Sequence, residues 1–209
     1  MAQRLKDEVR DRILEGALKV FARKGFAAAS MADVGKEAGV STGNLYRYYS
    51  GKDDLYDAVI PPSFVGNLRG LLERRIRSLD GVDDVGSLPP GSAFHLVSGE
   101  LLGFCLRQRL RVVVLLGRSA GTRNQGFLAL LIRQVASRAV DHFRQTRPGE
   151  CLTPARRFLL QRLYAHQFDA LVEILARQAD QAAIRDAIAA LSRYHLAGLN
   201  AFFQTEGEP

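Results

Sequence analysis

The side chains best suited to chemistry lie close together near the N-terminus. In the segment STGNLYRYYSGK, residues 41–52, arginine and asparagine match base edges. Hydroxyls, backbone N–H groups and lysine suit phosphate oxygens. If the segment winds into a short helix that enters a major groove N-terminus first, Thr42, Asn44, Arg47 and Tyr48 are the exposed readers. Gly43 then allows close approach to a phosphate, and Tyr46, Tyr49 and Lys52 reach toward the backbone. A second constellation, Gly117-x-Ser119-x-Gly121, has the spacing of a nucleophile elbow and follows the run RVVVLL at 111–116. It offers Ser119 for acyl transfer, but an elbow needs a parallel sheet around it, and the flanking segments read as helices.

The first constellation needs two short helices braced by a third. Leu5, Val9, Ile13, Ala17 and Phe21 recur at helical spacing and define a first helix that stops at Gly25. Ser30 followed by Asp33 has the form of a capping box opening a helix over 31–38. Val34 and Ala38 face the first helix, Gly39 takes the left-handed turn, and Val40 plugs back into a small core. Ser41 then caps a second short helix over 42–48. Together these make a helix-turn-helix.

Helical periodicity continues over 52–79, interrupted by Pro61-Pro62. Proline inside a helix removes a hydrogen bond, so a break is expected near Ile60, separating helices at 52–60 and 63–79. Such a break suits either a signalling hinge or a plain domain junction. Residues 80–92, rich in Gly, Pro and Asp, read as a loop. Long periodic segments follow at 93–116, 124–146, 154–178 and 181–203, with Thr153-Pro154 as N-cap and first helical residue of the third. Only RVVVLL suggests a strand. The expected fold is all-α: a three-helix helix-turn-helix domain over 1–52, then a helical bundle over 53–209, about nine helices in all.

Charge points the same way. The 209 residues carry 29 Lys+Arg against 22 Asp+Glu, a formal +7, which favours a polyanionic partner. All five lysines (Lys6, Lys19, Lys24, Lys36 and Lys52) lie in the first 52 residues, where ten basic side chains face six acidic ones. Arg107, Arg109, Arg111, Arg118 and Arg123 form a second cationic group. It reads as a solvated face, with the lesser option that one arginine meets an anionic effector. Cys105 and Cys151, in no close pair, make neither a disulfide framework nor a zinc site and suit a reducing compartment. His95, His142, His166 and His195 are dispersed, so no metal or cofactor is expected. No signal-peptide core opens the sequence and no apolar run approaches the ~18 residues of a membrane helix. A cytoplasmic protein with no membrane partner is the expectation.

On these residues the chain resembles the tetracycline-repressor (TetR) family. GFAAASMADV carries the family's G-(F/Y)-x-x-T-(T/S)-x-x-D-(I/V) opening, followed by AGVSTGNLYRYY and the K-(D/E)-x-L finish of KDDL. Ala29 and Ser30 stand at the two hydroxyl positions, Gly35 replaces a usual alanine, and Gly51 replaces a common serine at a helix cap. The resemblance implies a homodimeric transcriptional regulator, a repressor released from a palindromic DNA operator by a small-molecule effector. It also implies DNA contacts from Ser30, Ser41, Thr42, Gly43, Asn44, Tyr46, Arg47, Tyr48, Tyr49 and Lys52. Effector-cavity candidates are Phe94, Phe104, Phe127, Tyr164 and Phe168. Phe158, Leu171, Ile188, Leu191, Leu199 and Phe202 fall on the last two long helices, which pair across a two-fold in that family. Two other classes compete: an α/β-hydrolase-type esterase using Ser119, and a basic protein that coats DNA without reading it.

Overall fold

The computed structural model describes residues 2–82, 85–147, 149–178 and 180–203. Among them are ten α-helices and no strand. They are α1 (Ala2–Lys24), α2 (Met31–Ala38), α3 (Thr42–Leu45), α4 (Lys52–Val59), α5 (Pro62–Arg77), α6 (Ala93–Arg107), α7 (Arg109–Gly117), α8 (Phe127–Thr146), α9 (Pro154–Arg177) and α10 (Gln181–Phe203). A 3-10 turn, Val85–Ser87, lies inside the expected loop. No described helix is long and apolar enough to cross a membrane.

The fold is all-α, as the periodicity implied, with two differences along the chain. RVVVLL is not a strand but the body of α7, with Val112, Val113, Val114 and Leu115 all fully buried. A short continuous apolar run is equally compatible with a helix enclosed on every side. The expected 93–116 helix is two helices, α6 and α7, separated at Gln108. No glycine or proline marks that break in sequence.

The chain divides into two compact units, residues 1–68 with 108–128 and residues 69–107 with 129–209. The expected 1–52 domain lies inside the first unit. There α1 packs on α2, α4 and α7. Ile13, Ala17, Val20, Phe21, Val34, Leu45, Leu55 and Ile60 are completely buried. Phe21, Phe26 and Tyr56 form an aromatic trio with centroid separations of 5.2–6.2 Å, in the range where tilted and edge-on rings attract.

The proline pair breaks the helix where expected. Ile60 N–H still reaches Tyr56 O at 2.7 Å, and α5 starts with Pro62 in its first turn. Because Pro61 and Pro62 have no N–H, the carbonyls of Asp57 and Ala58 lose their helical donors. Arg111 repairs the end of α4: its Nε donates to Val59 O at 2.8 Å and its Nη1 to Gln108 Oε1 at 2.6 Å. Arg123 pairs with Asp57 at 3.1 Å, and Asn124 Nδ2 reaches Tyr56 Oη at 3.3 Å. Phe26 N–H donates to Arg118 O at 3.0 Å. Arg111 therefore does not belong to a solvated face, while Arg123 stays exposed; both tie residues 108–124 to α4.

The second unit holds α6, α9, α10 and most of α8. Phe143, Leu152 and Leu160 form its central cluster, with Ala139, Val140, Tyr164, Leu199, Phe202 and Phe203 packed around them. Thr153 Oγ1 caps α9 by accepting from Arg156 N at 3.2 Å, and Asp180 Oδ2 accepts from Ala183 N at 2.8 Å at the start of α10. The Cys105 thiol is buried, which pushes its pKa up to about 12 and leaves it inert.

Arg111→Met keeps most of the side-chain volume and removes the donor to Val59 O. Hydrogen bonds to charged groups contribute about 1.5–3 kcal/mol, so a loss of that size is expected in the unfolding free energy, read by chemical denaturation. An unchanged midpoint contradicts the clamp.

Candidate nucleic-acid interface

The surface is built from its caps. Ser30 Oγ accepts from Asp33 N at 3.1 Å and donates to Asp33 Oδ2 at 2.8 Å, while Asp33 Oδ2 accepts from Ser30 N at 3.1 Å. Lys24 Nζ donates to Asp33 Oδ1 at 2.6 Å. The Lys24 ammonium and the two Ser30 donors hold the Asp33 carboxyl down at about 2. Ser30 thus spends its hydroxyl proton on opening α2. At the other end, Gly39 sits at φ 66°, the left-handed turn expected of it. Arg12 donates to Ala38 O at 2.8 Å and Gly39 O at 2.9 Å, covering the carbonyls exposed there. Gly35 is no mere weak point in α2: a Cβ there stands 2.9 Å from Val40 O, so only glycine lets the turn fold back this closely.

Ser41 Oγ accepts from Asn44 N at 3.2 Å and opens α3. The α-helix ends at Leu45, three residues before the expected Tyr48. Winding continues in tighter turns, with Arg47 N reaching Asn44 O and Tyr48 N reaching Leu45 O, each three residues back. Leu45 is fully buried and anchors the turn. Around it Ser41, Thr42, Gly43 and Arg47 are exposed, Asn44 and Tyr48 are half-buried, and Tyr46 is 54% exposed. Arg47 makes no ion pair among the described residues, so its fork is open to an outside acceptor. By contrast, Arg23 is tied to Glu37 at 3.1 Å and Lys24 to Asp33.

Two predicted contact residues point inward. Tyr49 is 5% exposed, and its hydroxyl faces Arg10, raising that guanidinium's pKa. Lys52 Nζ donates to Phe26 O at 2.8 Å, Ala29 O at 2.9 Å and Ala27 O at 3.3 Å, and lies 4.4 Å from the Phe26 ring centroid. These two hold the surface in place. Arg12 and Arg111 were not legible as parts of the site, because their roles depend on backbone atoms distant in sequence.

Of the cavity candidates, Phe94 and Tyr164 meet around one side chain. The Arg75 guanidinium lies 4.8 Å from the Phe94 centroid, and its charge acts on Tyr164. Phe104 and Phe168 are half-buried on α6 and α9, and Phe127 opens α8 in the other unit. His195, not predicted for this place, packs its ring 5.0 Å from that of Tyr164. Of the predicted dimer residues, Phe158 is 66% exposed, and Leu171, Ile188 and Leu191 are half-buried. Leu199 and Phe202 pack on the unit's own core. Leu159 and Tyr194 add exposed apolar surface on α9 and α10 that had not been singled out.

The elbow reading fails on geometry. α7 supplies a helix where the elbow requires a strand, and Ser119 is buried, with Oγ directed at Asn124 O at 3.4 Å.

Lys52→Met leaves three carbonyls without their donor, and a stability loss of about 1.5–3 kcal/mol is expected from denaturation. A loss of DNA affinity with unchanged stability contradicts the inward role. Burial, with Arg75 adding to it, lowers the His195 pKa to about 4. Unfolded, it titrates near 6.5. Between these values the unfolded chain binds the extra proton, so this contribution is complete above pH 6.5 and fades as pH falls from there through 4. His195→Gln should flatten that part of the Tm–pH curve; an unaltered curve contradicts it.

Comparison with known proteins agrees with this geometry. Residues 13–59 match the family described as bacterial regulatory proteins, tetR family. The chain is 39% identical over 66 residues to the uncharacterized HTH-type transcriptional regulator YfiR of Bacillus subtilis (strain 168), covering 32% of each chain. It is 33% identical over 73 residues to the HTH-type transcriptional regulator AcrR of Shigella flexneri, covering 32% of this chain and 34% of that one. The matched region spans about a third of the length of these relatives. Among solved structures, the TetR family regulator PfmR from Thermus thermophilus aligns over 96% of this chain and 98% of its own, at 16% identity and a TM-score of 0.41. Over residues 13–59 the chain is therefore similar to the N-terminal region of the tetR family of bacterial regulatory proteins.

Proposed function

We propose that the protein is a sequence-reading DNA-binding regulator of transcription, a repressor that leaves its operator when a small molecule binds the second unit. The observation that carries this reading is the capped turn at 41–48. Ser41, Thr42, Gly43 and Arg47 are exposed there, and Arg47 is open to an outside acceptor. Arg47 and Asn44 suit base edges, and Ser41, Thr42 and Tyr46 suit phosphates. Ser41 keeps its hydroxyl proton free, since its oxygen only accepts from Asn44 N. Ser30, Tyr49 and Lys52 support the surface from behind.

The protein acts as a two-fold dimer through α9 and α10, where Phe158, Leu159 and Tyr194 leave large apolar side chains exposed. Two reading turns about 34–36 Å apart then meet successive turns of a palindromic site. Effector binding shifts this equilibrium only as far as the effector prefers the conformation that does not fit DNA. The exposed Arg47 and the half-buried Asn44 and Tyr48, grouped on one turn, favour a reader over a protein that coats DNA uniformly.

The test is binding to the protein's own upstream DNA across a salt series, with Arg47→Ala/Tyr48→Ala beside the wild type. Sequence-dependent binding is expected to be lost in the variant, with a salt slope shallower by about one unit for the missing arginine. Binding that ignores sequence, or survives the double substitution, contradicts the reading.

A further inference from the structure

The second unit holds a half-buried cation with no acidic partner. Arg75, on α5, is half-buried; its Nε donates to Ser98 Oγ at 3.0 Å, and its guanidinium lies 4.8 Å from the Phe94 centroid. No carboxylate pairs with it: the neighbouring acid–base pair on these helices belongs to Arg74 and Glu100. Its charge acts on Tyr164 of α9 and His195 of α10, whose rings pack 5.0 Å apart; burial raises the Tyr164 pKa to about 12 and lowers that of His195 to about 4, so both are neutral at pH 7. Arg75 itself stays charged, because an arginine does not deprotonate in a protein.

Hydrogen-bonding capacity is unspent at the same place. The two terminal nitrogens of Arg75 and the Tyr164 hydroxyl make no hydrogen bond to any described residue. His195 Nε2 is fully buried, again without a partner. Buried polar groups are ordinarily satisfied, and a lone buried charge is costly. Here one such group, the His195 imidazole on α10, lies against the Tyr164 ring of α9, and the half-buried Arg75 of α5 brings the open end of its guanidinium to the same place. A structural arginine needs no such arrangement, since Ser98 and the ring of Phe94 would serve one.

We propose that Arg75, Tyr164 and His195 are the anion-binding end of the effector site, and that the effector is a small organic acid with one carboxylate. The proposal rests on reading the second unit as effector-binding. The planar fork of arginine matches a carboxylate, with two parallel N–H donors. Charge count separates this from a phosphate monoester: one cation flanked by neutral donors balances one negative charge, not two.

The test is calorimetry on the full-length protein without DNA, so that its outcome is independent of DNA reading. The probes are benzoate, 3-phenylpropanoate and octanoate, each beside its primary amide, with inorganic phosphate as a further arm. At least one acid is expected to bind, with its amide and phosphate each at least ten-fold weaker. Arg75→Gln should lower that affinity at least ten-fold, while its ligand-free Tm equals or exceeds that of the wild type because an uncompensated charge has gone. Tyr164→Phe should weaken the same acid several-fold. Three acids that fail to bind, an amide or phosphate that binds as well as its acid, or Arg75→Gln binding as the wild type does, each overturn the proposal.

Discussion

The proposed DNA-reading surface depends on one ammonium group. Lys52, the first residue of α4, turns inward and donates to the carbonyls of Phe26, Ala27 and Ala29 while lying against the Phe26 ring. Those carbonyls belong to the turn that ends α1 and delivers the chain to Ser30. Position them differently and the capping box at Ser30 and Asp33 starts α2 elsewhere. The tight turn at Gly39 and the cap at Ser41 shift with it. A loop carbonyl that faces the interior must find a donor, and a single lysine does this for three of them. The same requirement explains why a residue that looks like a phosphate contact in sequence is unavailable for one.

A second constraint acts on the other side of α4. The proline pair stops that helix and strands carbonyls at its end, and Arg111 takes the one at Val59. Because Arg111 belongs to α7, a helix more than 50 residues later in the chain is part of the compact unit that holds the helix-turn-helix. Val112 to Leu115 fill the space beside α1 with side chains that see no water. Burial of this kind is the main stabilising term in such a unit. The polar contacts from Arg111, Arg123 and Asn124 choose the register in which the apolar faces meet.

Much of this was legible in sequence, and what was not has physical causes. Caps leave a local signature, so Ser30 with Asp33, Ser41, Gly39 and Thr153-Pro154 were assigned correctly from spacing alone. The proline break was equally local. The inward turn of Lys52 and the clamps from Arg12 and Arg111 were invisible, because each reaches backbone carbonyls 23 to 52 residues away. Gly35 looked like a plain replacement of alanine, whereas its value lies in its distance from Val40 O, which only the folded turn sets. RVVVLL resembled a strand because a helix enclosed on all sides shows no amphipathic period. The Arg75 group combines four helices, and no motif spans them.

The central claim is that two copies of this chain present the turn at 41–48 to successive major grooves of one DNA site. Hydroxyl-radical and methylation footprinting of the protein's own upstream DNA tests it most directly. A two-fold dimer predicts two protected patches related by a palindrome, their centres about 10 bp apart or a multiple of one helical turn. If Arg47 reads the major groove as proposed, guanine N7 methylation within each patch should be blocked. A single patch, or protection spread evenly along the duplex with methylation unaffected, contradicts it.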